Sequence, residues 1–271
     1  MLPKMAQRFT LQQEDEMKTW VRFNYGGKEG FGTLDGDTIT VHSGNMFEQP
    51  KPTSEKVKLA DVKLLTPCVP SKMILLWNNF HSLAAKLGVA VPSEPLYLLK
   101  PGTAFIADGE TVKKPNSYNG KVVYEGELGI VIGKRCKEVS EADAPNYIFG
   151  YTCSNDVTAG EIIQKDPTFA QWTRAKGFDT FGSFGPGIVS GIDPNKLVIK
   201  TFLNGEERQN YPVSDMVFPP YKLVSMLSQD MTLEPGDIIS CGTSVGVGSM
   251  KQGSTVEVVI DGVGRLVNRY E

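Results

Sequence analysis

The 271-residue sequence predicts a mixed α/β fold that is mainly β, with a few short helices and a small N-terminal β domain. Three observations lead to this prediction. Short runs of β-branched and aromatic residues recur along the chain, separated by Gly, Pro, Asn and Asp. Asp-Gly and Asn-Gly pairs stand between several of these runs, and such pairs favour tight hairpins. Helical periodicity is confined to a few short segments.

Residues 1–66 are predicted to form the N-terminal β cap with its linker. Within them, Thr19–Val41 alternates polar and apolar residues around Asp35-Gly36, which predicts an antiparallel meander. Two prolines among polar residues at 49–56 are typical of a linker. The polar residues before position 17 predict a loosely docked terminus.

Residues 72–271 are predicted to form the main domain. Met73–Trp77 has the composition of a buried strand, and a short helix follows it. Asn204-Gly205 predicts a hairpin, and Pro220 is suited to the first turn of a helix. Gln171–Pro186 is rich in glycine and aromatic residues and is interpreted as a loop that approaches a ligand closely.

Composition excludes several classes of function. The net charge is −3, and the basic residues are dispersed, which argues against a nucleic-acid partner. There is no apolar run of about 20 residues and no signal peptide, so we expect no membrane partner and a cytoplasmic location. The four cysteines form no C-x-x-C motif, so neither a zinc knuckle nor a redox pair is indicated.

The strongest chemical signal is the segment Tyr124–Gly133, YEGELGIVIG. Side chains alternate along a strand, so Glu125 and Glu127 are aimed at one side, with Cα atoms about 7 Å apart. Buried together, two carboxylates need a cation or a raised pKa. Hard divalent ions such as Mg²⁺ or Mn²⁺ take oxygen ligands. The alternative interpretation is a solvated face at the start of a strand.

Histidine is scarce in this chain. The sequence contains two, His42 and His81. A multi-histidine metal site is therefore excluded, and a histidine general base can be only one of these two.

Six segments, in this order, resemble the fumarylacetoacetate hydrolase family from Met73 to the C-terminus. They are KPGTAFI, YEGELGIVIGK, IFGYTCSNDVTA, AKGFDTFGSFGP, FLNGEERQ and TLEPGDIISCGTSVGVG. The resemblance implies a mixed β-roll with a divalent metal, commonly Mg²⁺, with Mn²⁺ or Ca²⁺ as alternatives. It also implies a homodimer and a place in the catabolism of aromatic compounds.

By the same resemblance, Glu125, Glu127 and Asp156 are the metal ligands. A 2-oxo acid would chelate the ion through its carboxylate and α-oxygen, and the ion would stabilise an enolate as a Lewis acid. Asp156 has an alternative interpretation as the cap of the following helix.

The resemblance also implies substrate-contacting residues. Lys176 resembles a lysine that reaches the substrate, where it would neutralise a carboxylate or a developing oxyanion, and Lys100 is a further substrate-binding candidate. Thr243 resembles a threonine that hydrogen-bonds the substrate carboxylate. The alternatives are an exposed loop lysine for Lys176 and a turn hydroxyl for Thr243.

The sequence departs from the family in the segment N-Y-x-x-H-A-A-E, whose His and Glu activate water or move a proton. Leu83 stands at the His position and Lys86 at the Glu position. His81 lies two residues earlier and has no acidic residue at i+3, so either it supplies the base from another direction or the dyad is absent. After Asp156, Gly160 and Ile163 replace the family's Arg and Gln, which leaves the substrate open.

Three functions follow as hypotheses. The first is C–C bond hydrolysis of a 2-oxo acid such as an acylpyruvate through a metal-bound enolate, with His81 and Lys176 as the catalytic candidates. The second is isomerisation or tautomerisation of a 2-hydroxy-dienoate or a keto/enol diacid, which needs no hydrolytic water. The third is a homologue that binds metal and carboxylate without turnover.

Overall fold

The structure, a computed structural model, describes residues 17–271, which form three β-sheets and four α-helices. The strands are β1 Lys18–Tyr25, β2 Lys28–Asp35, β3 Thr38–Ser43, β4 Lys51–Lys58, β5 Lys63–Leu64, β6 Met73–Trp77, β7 Leu96–Lys100, β8 Phe105–Ile106, β9 Thr111–Val112, β10 Val122–Tyr124, β11 Gly126–Ile132, β12 Ile148–Asp156, β13 Thr158–Ala159, β14 Gly182–Ser190, β15 Val198–Leu203, β16 Glu206–Pro212, β17 Ile238–Ser240, β18 Gly248–Ser249, β19 Thr255–Ile260 and β20 Gly264–Tyr270. The helices are α1 His81–Leu87, α2 Gly160–Ile163, α3 Trp172–Lys176 and α4 Pro220–Asp230. The predicted mainly β fold with short helices is confirmed.

The largest sheet runs through both predicted regions of the chain. Its order is β4-β3-β2-β1-β14-β12-β11-β17-β6-β7, with β5 beside β1 and β8 beside β14. The N-terminal meander joins the sheet where β1 pairs antiparallel with β14. The division into residues 1–66 and 72–271 stays a prediction, and residues 1–16 lie outside the described part.

The predicted hairpin at Asp35-Gly36 is confirmed, since β2 and β3 pair antiparallel across it. The predicted linker at 49–56 is wrong, because most of it belongs to β4. This strand lies at the edge of the sheet and is almost entirely exposed. An edge strand tolerates Pro52 because its outer side needs no hydrogen-bond donor.

The core lies between the large sheet and the five-stranded sheet, whose order is β16-β15-β19-β20-β9. All seven residues of β11 are buried, and four of the five in β6 are buried. Apart from Glu127 in β11, both strands carry apolar residues on both faces because other elements cover each side of the sheet. Ile130 of β11 and Val258 of β19 belong to the same hydrophobic cluster.

The helices predicted before Gly88 and from Pro220 are both confirmed. Helix α1 ends at Gly88, whose φ is 66°, and α4 has Pro220 in its first turn. No helix in residues 17–271 is long and apolar enough to cross a bilayer.

The loop predicted at Gln171–Pro186 is wrong over most of its length, since α3 and the start of β14 occupy it. Trp172 of α3 packs on Trp77, with ring centroids 4.8 Å apart. The glycines serve close packing here. A Cβ on Gly182 would lie 2.8 Å from Lys100 Cδ.

Candidate active site

Three carboxylates converge where β10, β11 and β12 meet. Glu125 lies between β10 and β11, Glu127 is in β11, and Asp156 ends β12. Each offers a carboxylate oxygen, and these oxygens lie within 4.8 Å of one another. The predicted convergence of Glu125 and Glu127 on one side is therefore observed, and Asp156 joins them. We call these three residues the acidic cluster.

Backbone pairing holds the cluster together. Gly126 lies opposite Asn155 in the antiparallel ladder of β11 and β12. The Asn155 Oδ1 atom accepts a hydrogen bond from the Glu125 N–H at 3.0 Å, and the Glu125 carbonyl accepts one from the Asp156 N–H at 2.9 Å. The three ligand candidates therefore share one rigid piece of sheet.

Burial decides between the alternatives left open by the sequence. Glu127 has no exposed surface and Asp156 is 1% exposed, so the pair of glutamates is not a solvated strand face. Helix α2 starts after Ala159, and no side chain caps it, so Asp156 is not a helix cap. Buried carboxylates are retained only where a cation or several donors compensate them.

Fixed donors orient the two glutamates. The Thr158 hydroxyl donates to Glu125 Oε1 at 2.8 Å. The Ser240 hydroxyl donates to Glu127 Oε2 at 2.6 Å, and the Gly242 N–H donates to the same oxygen at 3.0 Å. Glu127 Oε1 is buried and has no hydrogen-bond partner among the described residues. An unpartnered buried carboxylate oxygen beside two further carboxylates fits a hard divalent cation.

Two buried lysines pair with Asp156, each at a different carboxylate oxygen. Lys100 Nζ lies 2.8 Å from Asp156 Oδ1, and Lys176 Nζ donates to Asp156 Oδ2. Lys176 Nζ also lies 3.0 Å from Glu125 Oε2. Lys176 is therefore at the cluster and is not an exposed loop lysine. Lys100 is fully buried and also donates to the Phe181 carbonyl, so its contacts position Asp156. Its role in binding substrate stays a prediction.

Burial and charge shift the pKa values of the cluster. Burial, reinforced by the charges of Asp156 and Glu125, raises the pKa of Glu127 well above its usual value. Burial also raises the pKa of Glu125, and the nearby Lys176 opposes this effect. Burial lowers the pKa of Lys100. Burial alone would also lower the pKa of Lys176. The negative charges of Asp156, Glu125 and Glu127 outweigh the effect of burial, so the pKa of Lys176 is raised and its Nζ atom stays an ammonium.

Strand β16 supplies two residues that the sequence analysis missed. Gln209 Oε1 accepts from the Gly126 N–H at 3.0 Å, and Gln209 Nε2 donates to Thr243 Oγ1 at 2.8 Å. The Tyr211 hydroxyl donates to the Gly126 carbonyl. Gln209 belongs to the segment FLNGEERQ, but no sequence pattern marks it as a site residue, and its burial in β16 among charged, exposed neighbours is evident only in the structure.

Thr243 is 7% exposed and lies beside the cluster. Its hydroxyl donates to the Gly126 carbonyl at 3.1 Å. In the described contacts Thr243 therefore supports the backbone between the two glutamates, and its predicted contact with a substrate carboxylate stays a prediction.

Helix α1 begins with His81, the histidine that the sequence offers as a base near the family's motif. His81 is exposed at the first position of α1, and none of the hydrogen bonds among residues 17–271 joins it to the cluster. Leu83, at the position of the family's histidine, is buried in the main hydrophobic cluster, while Lys86 is exposed. The His–Glu dyad is therefore absent from this helix.

Ser240→Ala is expected to weaken binding of a divalent cation by about tenfold, because one of the two donors that orient Glu127 is lost. Calorimetric titration of the EDTA-stripped protein with Mn²⁺ measures the effect. Ser228→Ala, which removes a buried hydroxyl from α4, is the matched control. Equal affinities in the two variants would show that Ser240 does not orient a metal ligand.

Comparison with known proteins identifies the family to which the chain belongs. Residues 72–271 match the family model described as fumarylacetoacetate (FAA) hydrolase C-terminal. The chain belongs to the fumarylacetoacetate hydrolase family. Residues 18–67 match a second model, described as Rv2993c-like, N-terminal. The resemblance inferred from the six segments is thus confirmed, and the chain is an enzyme of this hydrolase and isomerase family.

Three relatives illustrate the range of the fumarylacetoacetate hydrolase family. An uncharacterised protein of Archaeoglobus fulgidus is 46% identical over 91% of this chain and 94% of its own length. The oxaloacetate tautomerase YisK of Bacillus subtilis is 34% identical over 87% of this chain and 83% of its own. The crystal structure of 2-hydroxyhepta-2,4-diene-1,7-dioate isomerase from Mycobacterium marinum superposes with a TM-score of 0.86 over 93% of this chain and 98% of that one, and the two sequences are 36% identical.

Proposed function

We propose that the protein is a divalent-metal-dependent isomerase or tautomerase of a 2-oxo acid and its enol form. The observation that carries the proposal is the buried acidic cluster, to which no histidine of residues 17–271 is hydrogen-bonded. Glu125, Glu127 and Asp156 would hold the ion, with Mg²⁺ as the first candidate and Mn²⁺ or Ca²⁺ as alternatives. A bound Mg²⁺ would act as a Lewis acid toward the substrate's carboxylate and α-oxygen.

Charge supports an anionic substrate. Three carboxylates and the two lysines Lys100 and Lys176 leave one negative charge, and a divalent cation changes this to one positive charge. The carboxylates around Lys176 raise its pKa and favour the ammonium form, which would act as a hydrogen-bond donor to a carboxylate or oxyanion and not as a base. Burial strengthens that interaction, since little water competes for it.

The reaction type follows from what α1 lacks. Hydrolysis of a C–C bond needs a base that activates water, and Leu83 occupies the core where that base is expected. A keto–enol conversion moves a proton between carbon and oxygen of the substrate and needs no attacking water. The names of the Bacillus subtilis and Mycobacterium marinum relatives agree with this choice.

The second candidate function is C–C bond hydrolysis of an acylpyruvate. An assay separates the two candidates: purified protein with Mg²⁺ is incubated with oxaloacetate, 2-hydroxy-dienoates and acylpyruvates, and both the ultraviolet enol bands and the fission products are followed. We expect EDTA-sensitive loss of the enol band without fission. Fission products would instead support the hydrolase, and neither change with any substrate would contradict both.

His81→Ala is expected to keep activity within about twofold of the parent, whereas removal of a general base costs about 100-fold or more. The physical reason is that His81 is exposed and makes no hydrogen bond with the acidic cluster. Initial rates under saturating Mg²⁺ measure the effect, and Lys86→Ala on the same helix is the control. A 100-fold loss in the His81 variant alone would restore this residue as the base.

We further propose a homodimer. Edge strand β7 exposes three large apolar side chains, Leu96 at 45%, Tyr97 at 38% and Leu99 at 42%. An exposed apolar edge strand is suited to pairing with another chain. Sedimentation equilibrium tests this, and a monomer at all concentrations would contradict it. A cytoplasmic location and a role in aromatic catabolism stay predictions.

A further inference from the structure

The ammonium of Lys176 contacts side chains, whereas that of Lys100 also contacts backbone carbonyls. Its Nζ atom contacts Glu125 Oε2 at 3.0 Å, Thr158 Oγ1 at 2.8 Å and Asp156 Oδ2. All three partners are side chains at the acidic cluster. None of the hydrogen bonds among the described residues joins this ammonium to a backbone carbonyl, so moving it breaks no contact with the backbone.

The oxygens that Lys176 contacts are those that an incoming cation needs. In each carboxylate of the cluster, one oxygen has another donor or cation beside it: Glu125 Oε1 has the Thr158 hydroxyl, Glu127 Oε2 has Ser240 and the Gly242 N–H, and Asp156 Oδ1 has Lys100. The other oxygens are Glu125 Oε2, Glu127 Oε1 and Asp156 Oδ2. Lys176 contacts the first and the last of them, and Glu127 Oε1 has no hydrogen-bond partner within residues 17–271.

A divalent cation bound to Glu125 Oε2 and Asp156 Oδ2 would lie close to the Lys176 ammonium. The two positive charges would repel each other strongly, because the site is buried and little water screens them. We propose, building on the metal-dependent function proposed above, that the Lys176 ammonium is an internal counter-cation that a divalent cation displaces. The displaced ammonium is then free to pair with a substrate anion. Metal binding thereby prepares the contact between Lys176 and substrate, and the metal must bind first.

Lys100 provides the contrast within the same site. Its Nζ atom donates to the Phe181 carbonyl at 2.7 Å and to the Val157 carbonyl at 3.4 Å, in addition to its ion pair with Asp156. Its side chain has no exposed surface. Backbone contacts therefore keep Lys100 in place whether or not a metal is bound.

Amine labelling of the unmodified full-length protein tests the inference. The EDTA-stripped protein is treated briefly with an acetylating reagent, with and without saturating Mn²⁺, and acetylation at each lysine is quantified by peptide mass spectrometry. Lys196, whose side chain is 84% exposed, normalises reagent dose, and Lys100 is the buried control. Calorimetry on the same sample establishes that Mn²⁺ binds.

We expect Mn²⁺ to raise acetylation of Lys176 by about tenfold or more, the factor that corresponds to losing one charge-assisted hydrogen bond, with Lys100 unchanged. Bound Mn²⁺ with unchanged acetylation of Lys176 would overturn the inference and leave the proposed function standing. An equal rise at Lys100 would also overturn it, since the whole site would then be opening. Absence of Mn²⁺ binding would overturn the proposed function itself.

Discussion

Glu127→Gln is expected to lower metal affinity and metal-dependent activity by about 100-fold or more. The substitution keeps the shape of the side chain, and an amide oxygen can still accept from Ser240 and Gly242. It removes the buried charge and the unpartnered oxygen Oε1, which we assign to the ion. Mn²⁺ titration and the enol assay together measure the loss.

The same variant is expected to be at least as stable as the parent when metal is absent. Glu127 has no exposed surface and its charge is opposed by Asp156 and Glu125, so neutralising it removes a desolvation cost. Glu257→Gln is the control, because it removes a carboxylate that pairs with the exposed Arg265 in the five-stranded sheet, outside the acidic cluster. A large drop in the melting temperature of the EDTA-treated Glu127 variant would contradict a metal-ligand role.

The raised pKa of Glu127 adds a dependence on pH. The folded metal-free protein binds this proton more tightly than the unfolded chain does, so its free energy of unfolding should fall as pH rises from about 4.3 toward the raised value. Urea unfolding in EDTA at several pH values measures the trend. Glu127→Gln should flatten it, and an unchanged trend in the variant would assign the proton to another group.

Gly126→Ala is expected to destabilise the protein by about 2–3 kcal/mol and to displace the glutamates on either side of it. A Cβ at this position would lie 1.9 Å from Thr201 Oγ1 and 3.3 Å from Val258 Cγ2. Because strands from two sheets meet here, the intact Thr201 side chain can relieve the clash only if it rotates or if β11 moves away from β15. Urea unfolding measures stability, and Mn²⁺ titration measures the effect on the site.

A double variant makes this prediction specific. Thr201 Oγ1 has no hydrogen-bond partner in the described part of the chain, so Thr201→Ala should cost little and should restore much of the stability lost in Gly126→Ala. Gly160→Ala is the matched control, because a Cβ there meets nothing within 4 Å. Failure of Thr201→Ala to rescue would show that the clash lies elsewhere.

Local patterns predicted the parts of the fold that depend on neighbouring residues. The hairpin at Asp35-Gly36, the helix end at Gly88 and the paired glutamates all follow from spacing along one segment. The prolines near β4 led to the wrong prediction of a linker, because an edge strand tolerates proline. The glycines after α3 led to the wrong prediction of a loop, because in β14 they allow close packing.

Long-range contacts account for what the sequence did not reveal. Ser240 reaches Glu127 across 113 residues, and Gln209 reaches Gly126 across 83. No local pattern links such pairs, so Ser240 and Gln209 became visible only in the folded chain. The same holds for Lys100, whose neighbourhood of Asp156 and the Phe181 carbonyl is assembled by three separate segments.

We propose that Glu125, Glu127 and Asp156 hold one divalent cation. The decisive test is a crystal structure of the Mn²⁺-soaked protein, with data collected at a wavelength where Mn scatters anomalously. We predict one strong anomalous peak per chain, at coordinating distance from an oxygen of each of the three carboxylates. No peak at that position, with Lys176 still paired to Glu125 and Asp156 at millimolar Mn²⁺, would contradict the claim.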